Sequence, residues 1–241
     1  MSDKQFVSIY FLLSFTDKAQ LRPYLESLGK QVPLIYIITP TYKRPTRYPD
    51  FLRLLHTVLH LENIHWLIIE DGKTTDPVLE KLLSAYDIRY TYFAQKNNVD
   101  PKKRKKIKGV DQRNAALSWI RFNHNYAESA VLYFADDDNA YSLELFDEIR
   151  FTQKISIFPV GLLNDDIIVV GFGKQKKKYQ RKFAVDMASF AINVDVLFKN
   201  PKLQFASNYS NGYLETKFLE QFTDLSELEP LADNCTKVKR I

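Results

Sequence analysis

Three stretches of the chain share one construction, an unbroken apolar run that ends abruptly in polar residues. Leu34-Ile35-Tyr36-Ile37-Ile38-Thr39 runs into Pro40-Thr41-Tyr42-Lys43-Arg44, and His65-Trp66-Leu67-Ile68-Ile69-Glu70 runs into Asp71-Gly72. Val131-Leu132-Tyr133-Phe134-Ala135 runs into Asp136-Asp137-Asp138-Asn139. A strand with one wet face alternates apolar and polar residues. These do not, so both faces are covered, as inside a parallel α/β sheet. Between them lie helical patterns over about Tyr48–Leu61, with Leu52, Leu55, Val58 and Leu59 on one face, over Pro77–Tyr86, and through Gln112–Ile120. With a further strand over Ile88–Phe93, the order β-α-β-α-β-α-β predicts an α/β fold with a doubly wound sheet. Such sheets bind ligands beyond the carboxyl ends of their strands. Tyr42, Asp71 and Asp136, Asp137 and Asp138 are therefore expected at one rim.

Three adjacent carboxylates repel one another and need a cation or solvent to sit at a sheet end. A hard divalent ion such as Mg²⁺ or Mn²⁺ suits them, and it would bridge the phosphate oxygens of a nucleotide. A solvated acidic turn at a helix start is the plain alternative. Neither G-x-G-x-x-G nor G-x-x-x-x-G-K-[ST] occurs, and seven glycines are too few for a glycine-lined phosphate cradle. A metal ion would then carry much of any phosphate binding. At the same rim, Tyr42 offers a ring for stacking on a base, Asp71 an acceptor for a base N–H, and Arg113 a donor to base or phosphate. For each, a purely structural role stays open.

Length and charge narrow the class further. The 241 residues suffice for one large domain or two small ones. The net charge of +5 is local, held largely by Lys102–Lys108 and Lys174–Lys182, which read as solvated loops. Cys235 is the only cysteine, so no internal disulfide framework exists. Asn208-Tyr209-Ser210 and Asn234-Cys235-Thr236 are glycosylation sequons, a weak pointer to a secretory lumen. The apolar stretch Phe6–Phe15 is too short to span a bilayer, which takes about 20 residues, and lacks a cleavage site. Residues 1–32 read as an N-terminal arm. His56 and His60 are four apart but lack the glutamate of H-E-x-x-H, so they read as surface or packing residues.

In the second half, Ser142–Phe151 reads as a helix with Ser142 as its N-cap. Strands are expected over Ile155–Gly161, Ile167–Gly173 and Phe183–Asn193, with a short helix over Val194–Asn200. Asn211-Gly212-Tyr213-Leu214-Glu215 opens a helix running through Phe222, placing Glu215 where a carboxylate is favoured electrostatically.

P-T-Y-K-R, Glu70-Asp71, G-V-D-Q-R-N-A-A-L, Y-F-A-D-D-D-N-x-Y-S-x-E-L-F, F-P-V-G-L, A-V-D-M-A-S-F-A and G-Y-L-E follow one another in this chain. In that order they resemble the animal β-1,3-glucuronyltransferases, glycosyltransferase family 43, from about Leu34 to Thr236. The resemblance implies a GT-A fold, a Rossmann-like doubly wound mixed sheet, with residues 33–138 as the nucleotide-sugar donor half and 139–241 as the acceptor half of one domain. It implies transfer of glucuronic acid from UDP-glucuronate to a terminal galactose of a glycan, with inversion and with Mn²⁺, in the Golgi lumen or at its membrane, by a homodimer. By resemblance Tyr42, Asp71 and Arg113 hold the uracil end, Asp136 and Asp137 lie on the donor side with Asp137 at the ribose, and Asp138 ligates the metal. Glu215 matches the catalytic base, and Arg181 and Asp186 match positions contacting the sugars near the transfer point.

The chain departs from the pattern in places. Lys108 stands near the nucleotide where the family carries an arginine, keeping the charge but losing the planar fork. The segment between Leu163 and Gly171 is shorter than in the family, and no tryptophan precedes Arg181. The family pattern continues past the N-C-T motif into a W-H-T-like segment whose histidine contacts the UDP phosphates, and into a tail that helps build the neighbouring subunit's acceptor site. All four histidines here precede the triple aspartate, so none takes that place. Two rival readings stand beside the leading one: a truncated or degenerate relative without activity, and a nucleic-acid-binding module using the lysine-rich loops. No recognised nucleic-acid motif accompanies those loops, so no nucleic-acid partner is expected.

Overall fold

The computed structural model describes residues 32–97, 108–163, 167–170, 181–206, 209, 212–236 and 239–240. The N-terminal arm expected over 1–32 lies outside them except for Val32. So do most of Lys102–Lys108, residues 171–180, and the asparagine and serine of the Asn208 sequon.

Strands β1 (Leu34–Thr41), β2 (Ile64–Glu70), β3 (Tyr90–Ala94) and β4 (Ala130–Phe134) alternate with helices α1 (Arg47–Val58), α2 (Pro77–Leu83) and α3 (Val110–Asn123). After α4 (Leu143–Ile149) come β5 (Ile155–Ile157), β6 (Val160–Leu163), β7 (Ile167–Val170), β8 (Phe190–Asn193), α5 (Asp195–Lys199), α6 (Leu214–Leu219), β9 (Glu229–Pro230) and β10 (Lys239–Arg240). The main sheet has seven strands in the order β3-β2-β1-β4-β8-β5-β9, and a small sheet is ordered β10-β6-β7. β1 pairs parallel with both β2 and β4, and β2 parallel with β3, whereas β8 is antiparallel to β4 and β5. The expected doubly wound α/β sheet is present and mixed, and strands from both halves of the sequence share it.

The absence of alternation in β1 and β2 has the expected cause, because each face meets a separate layer of core. Tyr36, Ile38, Leu67, Ile69, Leu132 and Phe134 pack with α3 residues Ala116, Leu117 and Ile120 on one side. Ile35, Ile37, Trp66, Ile68, Val131 and Tyr133 pack with α1 residues Phe51, Leu54, Leu55 and Val58 on the other.

Local expectations are corrected at three places. The buried face of α1 is Arg47, Phe51, Leu54, Leu55 and Val58, and Leu52 is exposed; the buried arginine at the first position sets the phase of the helix. The expected strand Ile155–Gly161 is split between two sheets at Phe158-Pro159, where proline has no N–H to give a ladder. In Phe183–Asn193 only Phe190–Asn193 is strand. Met187–Ser189 forms a 3₁₀ turn because Asp186 caps it, its Oδ1 accepting from Ala188 N–H at 3.0 Å while its own N–H donates to Ser189 Oγ at 2.8 Å. Ser142 does stand at the N-cap position of α4, but its hydroxyl makes no capping bond.

Candidate active site

β1 runs on past the end of β4: Ile38 pairs with Phe134, while Thr39 to Thr41 continue alongside β2 to the Thr41–Glu70 pair. The overhang brings the first strand's loop over the aspartates. Thr41 Oγ1 donates to Asp137 Oδ2 at 2.7 Å, and Arg44 Nη1 donates to the same oxygen at 3.0 Å while its Nη2 reaches Asp50 at 3.0 Å. Burial pushes the Asp137 carboxyl above its ordinary value, although the bonds from Arg44 and Thr41 oppose the shift.

The three aspartates do not act as one cluster. Asp136 is ion-paired with Arg113 Nη2 at 2.5 Å, Asp137 is buried beneath Thr41 and Arg44, and Asp138 is exposed, its carbonyl oxygen accepting from Arg53 Nη2 at 2.8 Å. Part of the cation that the acidic run calls for is thus the protein's own arginines. Gly109 makes the Arg113 pairing possible. It sits at φ +77, a left-handed conformation suited to glycine, and a Cβ there would collide with the Arg113 guanidinium.

Tyr42 lies beside these groups. Lys108 Nζ stands 4.3 Å from its ring centroid and Arg44 Cζ 5.1 Å from it, and Lys108 also donates to the phenol oxygen at 3.3 Å. Asp71 extends the β1–β2 ladder, its N–H donating to Thr41 O at 2.8 Å. Its carboxylate accepts from both Asn97 N–H, at 3.0 Å, and Asn97 Nδ2.

Glu215 occupies the first turn of α6. Burial pushes its carboxyl above the ordinary value and the negative charge of Asp186 adds to the shift, while Arg113 and Arg181 oppose it. Asp186 is likewise raised by burial, opposed by the Ala188 N–H, and feels Asp136, Arg113 and Arg181. Arg181 Nη1 donates to Gly212 O at 2.8 Å, three residues before Glu215. The structure therefore joins Glu215, Asp186, Arg181, Arg113 and Asp136 in one electrostatic neighbourhood, with Tyr42, Asp71 and Asp137 at the adjoining strand ends and Lys108 in the turn before α3. His56 and His60 are exposed on the α1 side of the chain, consistent with their reading as surface residues.

Sequence reading missed Thr41, Arg44 and Asn97. Arg44 and Thr41 were in view within P-T-Y-K-R, but their partner Asp137 is 93 and 96 residues away, so only the register of β1 against β4 reveals it. Asn97 follows β3 with no local signal at all.

Among the described residues no three His, Cys, Asp or Glu side chains converge to hold a metal ion. The exposed Asp138 carboxylate at the sheet end still fits a hard ion of the Mg²⁺ or Mn²⁺ kind, which binds through one or two carboxylates and takes its remaining oxygens from substrate phosphates and water.

A mixed seven-stranded sheet with an acidic rim at the end of β4 is the architecture of a GT-A-type glycosyltransferase. TarS residues 1–349 from S. aureus is similar in fold alone, with a TM-score of 0.53 at 12% identity over 86% of this chain and 59% of that one. The family model for glycosyltransferase family 43 matches residues 54–240. Human galactosylgalactosylxylosylprotein 3-beta-glucuronosyltransferase 2 is 40% identical over 223 residues, 86% of this chain and 68% of the relative. The canine galactosylgalactosylxylosylprotein 3-beta-glucuronosyltransferase 1 is 36% identical over 256 residues, 99% of this chain and 75% of the relative. The chain belongs to glycosyltransferase family 43. Among the described residues no helix is long and apolar enough to cross a membrane.

Proposed function

We propose that this protein transfers glucuronic acid from UDP-glucuronate to a terminal galactose of a glycan or proteoglycan linker, with inversion and with Mn²⁺. The activity carried in the names of the relatives supports the reading, and one observation carries it. A carboxyl group raised by burial, that of Glu215, shares its electrostatic field with Arg113, and Arg113 is paired to the acidic end of β4. The reading assigns a proton acceptor and the groups that meet a departing anion to one site.

In this reading residues 33–138 form the donor half and 139–241 the acceptor half. Tyr42 stacks on uracil, Asp71 accepts its N–H, and Lys108 and Arg113 supply positive charge nearby. Asp136 orients Arg113, Asp137 lies at the ribose, and Asp138 ligates the metal. Mn²⁺ bound there would neutralise charge on the diphosphate. Arg181 and Asp186 meet the sugars at the transfer point. Glu215 takes the proton of the acceptor hydroxyl as that oxygen attacks the anomeric carbon; the bond from that carbon to the diphosphate oxygen breaks, and UDP leaves with the electron pair. A hydroxyl is a poor nucleophile until a base takes its proton, and a carboxyl raised by burial is the stronger base for the task. A Golgi location and a homodimer go with this reading.

A panel of UDP-sugars with a galactoside acceptor, with and without Mn²⁺, tests it. Transfer from UDP-glucuronate that requires Mn²⁺ is expected, and Glu215→Gln should abolish transfer while leaving UDP binding intact. Transfer surviving Glu215→Gln defeats the base assignment. No transfer from any UDP-sugar by the unaltered protein defeats the activity.

A further inference from the structure

Asn97 is a polar side chain only 3% exposed, and it lies outside every motif that pointed to the site. It does not float in its loop. Gln95 N–H continues the sheet by donating to Glu70 O at 2.9 Å, and the fully buried Gln112 of α3 donates from Nε2 to Gln95 O at 2.6 Å. The segment leaving β3 is thus pinned to both the end of β2 and the first turn of α3. From that anchored position Asn97 places its backbone N–H on Asp71 Oδ1, at 3.0 Å, and its side-chain amide on Asp71 Oδ2.

We infer that Asn97 is the positioning residue that fixes Asp71 for reading the nucleotide base, and hence part of what selects uracil. The inference rests on the donor-site reading above. A carboxylate is an acceptor only, with about four lone-pair sites on its two oxygens. Asn97 occupies one site on each oxygen, which prevents rotation of the carboxylate plane and leaves the remaining lone pairs in a fixed direction. Uracil presents an N3–H that such a group accepts. Cytosine presents an unprotonated N3 that repels it, so a fixed carboxylate discriminates the two bases and a freely turning one discriminates less. Asn97 contributes nothing to the chemistry of transfer and acts only through Asp71.

Calorimetric binding of UDP and of CDP, both with Mn²⁺, tests this on the full chain carrying Asn97→Ala, Asp71→Ala, or both. A hydrogen bond to a charged group is removed in Asn97→Ala, so UDP binding should weaken roughly tenfold while CDP binding hardly changes. Adding Asn97→Ala to Asp71→Ala should weaken UDP no further, because the first residue then has nothing to position. A residue needed only for folding would not show that coupling. Full additivity of the two losses overturns the inference, as does unchanged UDP binding in Asn97→Ala beside a loss in Asp71→Ala. Unchanged UDP binding in Asp71→Ala instead overturns the donor reading of Asp71, and the inference with it. Asn97→Asp preserves shape and guards against a misfolded alanine variant: it turns a donor into a second carboxylate facing Asp71 and should weaken UDP at least as much, and wild-type affinity there also overturns the inference.

Discussion

Where β2 ends and α1 begins lies a charge arrangement whose removal has a large, calculable cost. Arg47 is 1% exposed and ion-paired on two sides, with Glu70 through Nη2 and with Asp76 through Nη1 at 3.2 Å. Tyr92 closes the group, its hydroxyl donating to Glu70 Oε2 at 2.6 Å and accepting from Asp76 N–H at 3.0 Å. Arg47→Met keeps the apolar volume of the side-chain stem but leaves two buried carboxylates without their shared cation. Removing one partner of a buried pair costs about 3–5 kcal/mol, against near neutrality when the whole set is replaced by well-packed neutral groups. In a chain of 241 residues that is a fall in Tm on the order of 10 °C. Asp76 keeps bonds from Tyr48 hydroxyl, at 3.1 Å, and Val78 N–H, at 2.9 Å, so Glu70 bears the larger share of the loss. Adding Glu70→Gln to Arg47→Met should therefore recover half the loss or more. Urea unfolding of the two single variants and the double variant, followed by circular dichroism, completes the cycle. A loss below about 1 kcal/mol in Arg47→Met would refute the argument, since that is the size of a solvent-screened surface pair.

Other perturbations have equally definite outcomes. Burial, aided by Arg89, depresses the His65 imidazole to about 4; between that value and 6.5 the unfolded chain binds a proton that the folded chain refuses. Stability is then fully present above pH 6.5 and lost as pH falls toward 4, and from pH 7 to 5 the wild type should lose about 2 kcal/mol more than His65→Asn in urea unfolding. Gly109→Ala forces a left-handed residue and a clash with the Arg113 guanidinium, so it should cost about 1–2 kcal/mol and weaken UDP binding, whereas Gly212→Ala, at φ +83 but with open space around it, should cost stability without a clash. Asp138→Asn should weaken UDP binding in Mn²⁺ and leave metal-free UDP binding unchanged; an equal loss in both conditions would remove Asp138 from the metal.

The fold was legible wherever burial on two faces left its mark on composition. β1, β2 and β4 lack alternation because helices cover both sides, and the polar residues that end them mark the rim without any need of coordinates. Legibility failed where a single local contact outweighed pattern. The phase of α1 follows a buried arginine that a hydrophobic count discards, and the Met187–Ser189 turn follows the Asp186 capping box inside a run otherwise suited to a strand. Of the site, acids and aromatic rings at strand ends could be found from sequence, but their partners could not. Asp71 and Asn97 are 26 residues apart, and Asp136 to Asp138 diverge to Arg113, to Arg44 with Thr41, and to solvent, although they read as one motif.

The separation between the acidic end of β4 and Glu215 is fixed by aromatic packing rather than by the intervening loops. Phe134 is the last residue of β4, and Phe218 lies three residues after Glu215, about one turn along α6. The two rings meet edge-on at 6.1 Å, and Phe205 packs against both. Its ring stacks on Phe218 at 3.9 Å and 9°, and meets Phe134 edge-on at 5.2 Å. Asn114, the residue after Arg113, holds the Phe205 backbone from α3 by a reciprocal pair of bonds: Nδ2 to Phe205 O and Phe205 N–H to Oδ1, both 2.8 Å. All three rings are 2% exposed or less, so they sit at interior packing density, where a shift of one ring displaces its neighbours. Arg113 pairs with Asp136 from one turn of α3 while Asn114 secures the stack under Glu215 from the next position. One helix thus touches both ends of the candidate site, and Glu215 is held in register with the rim by the core packed under α3.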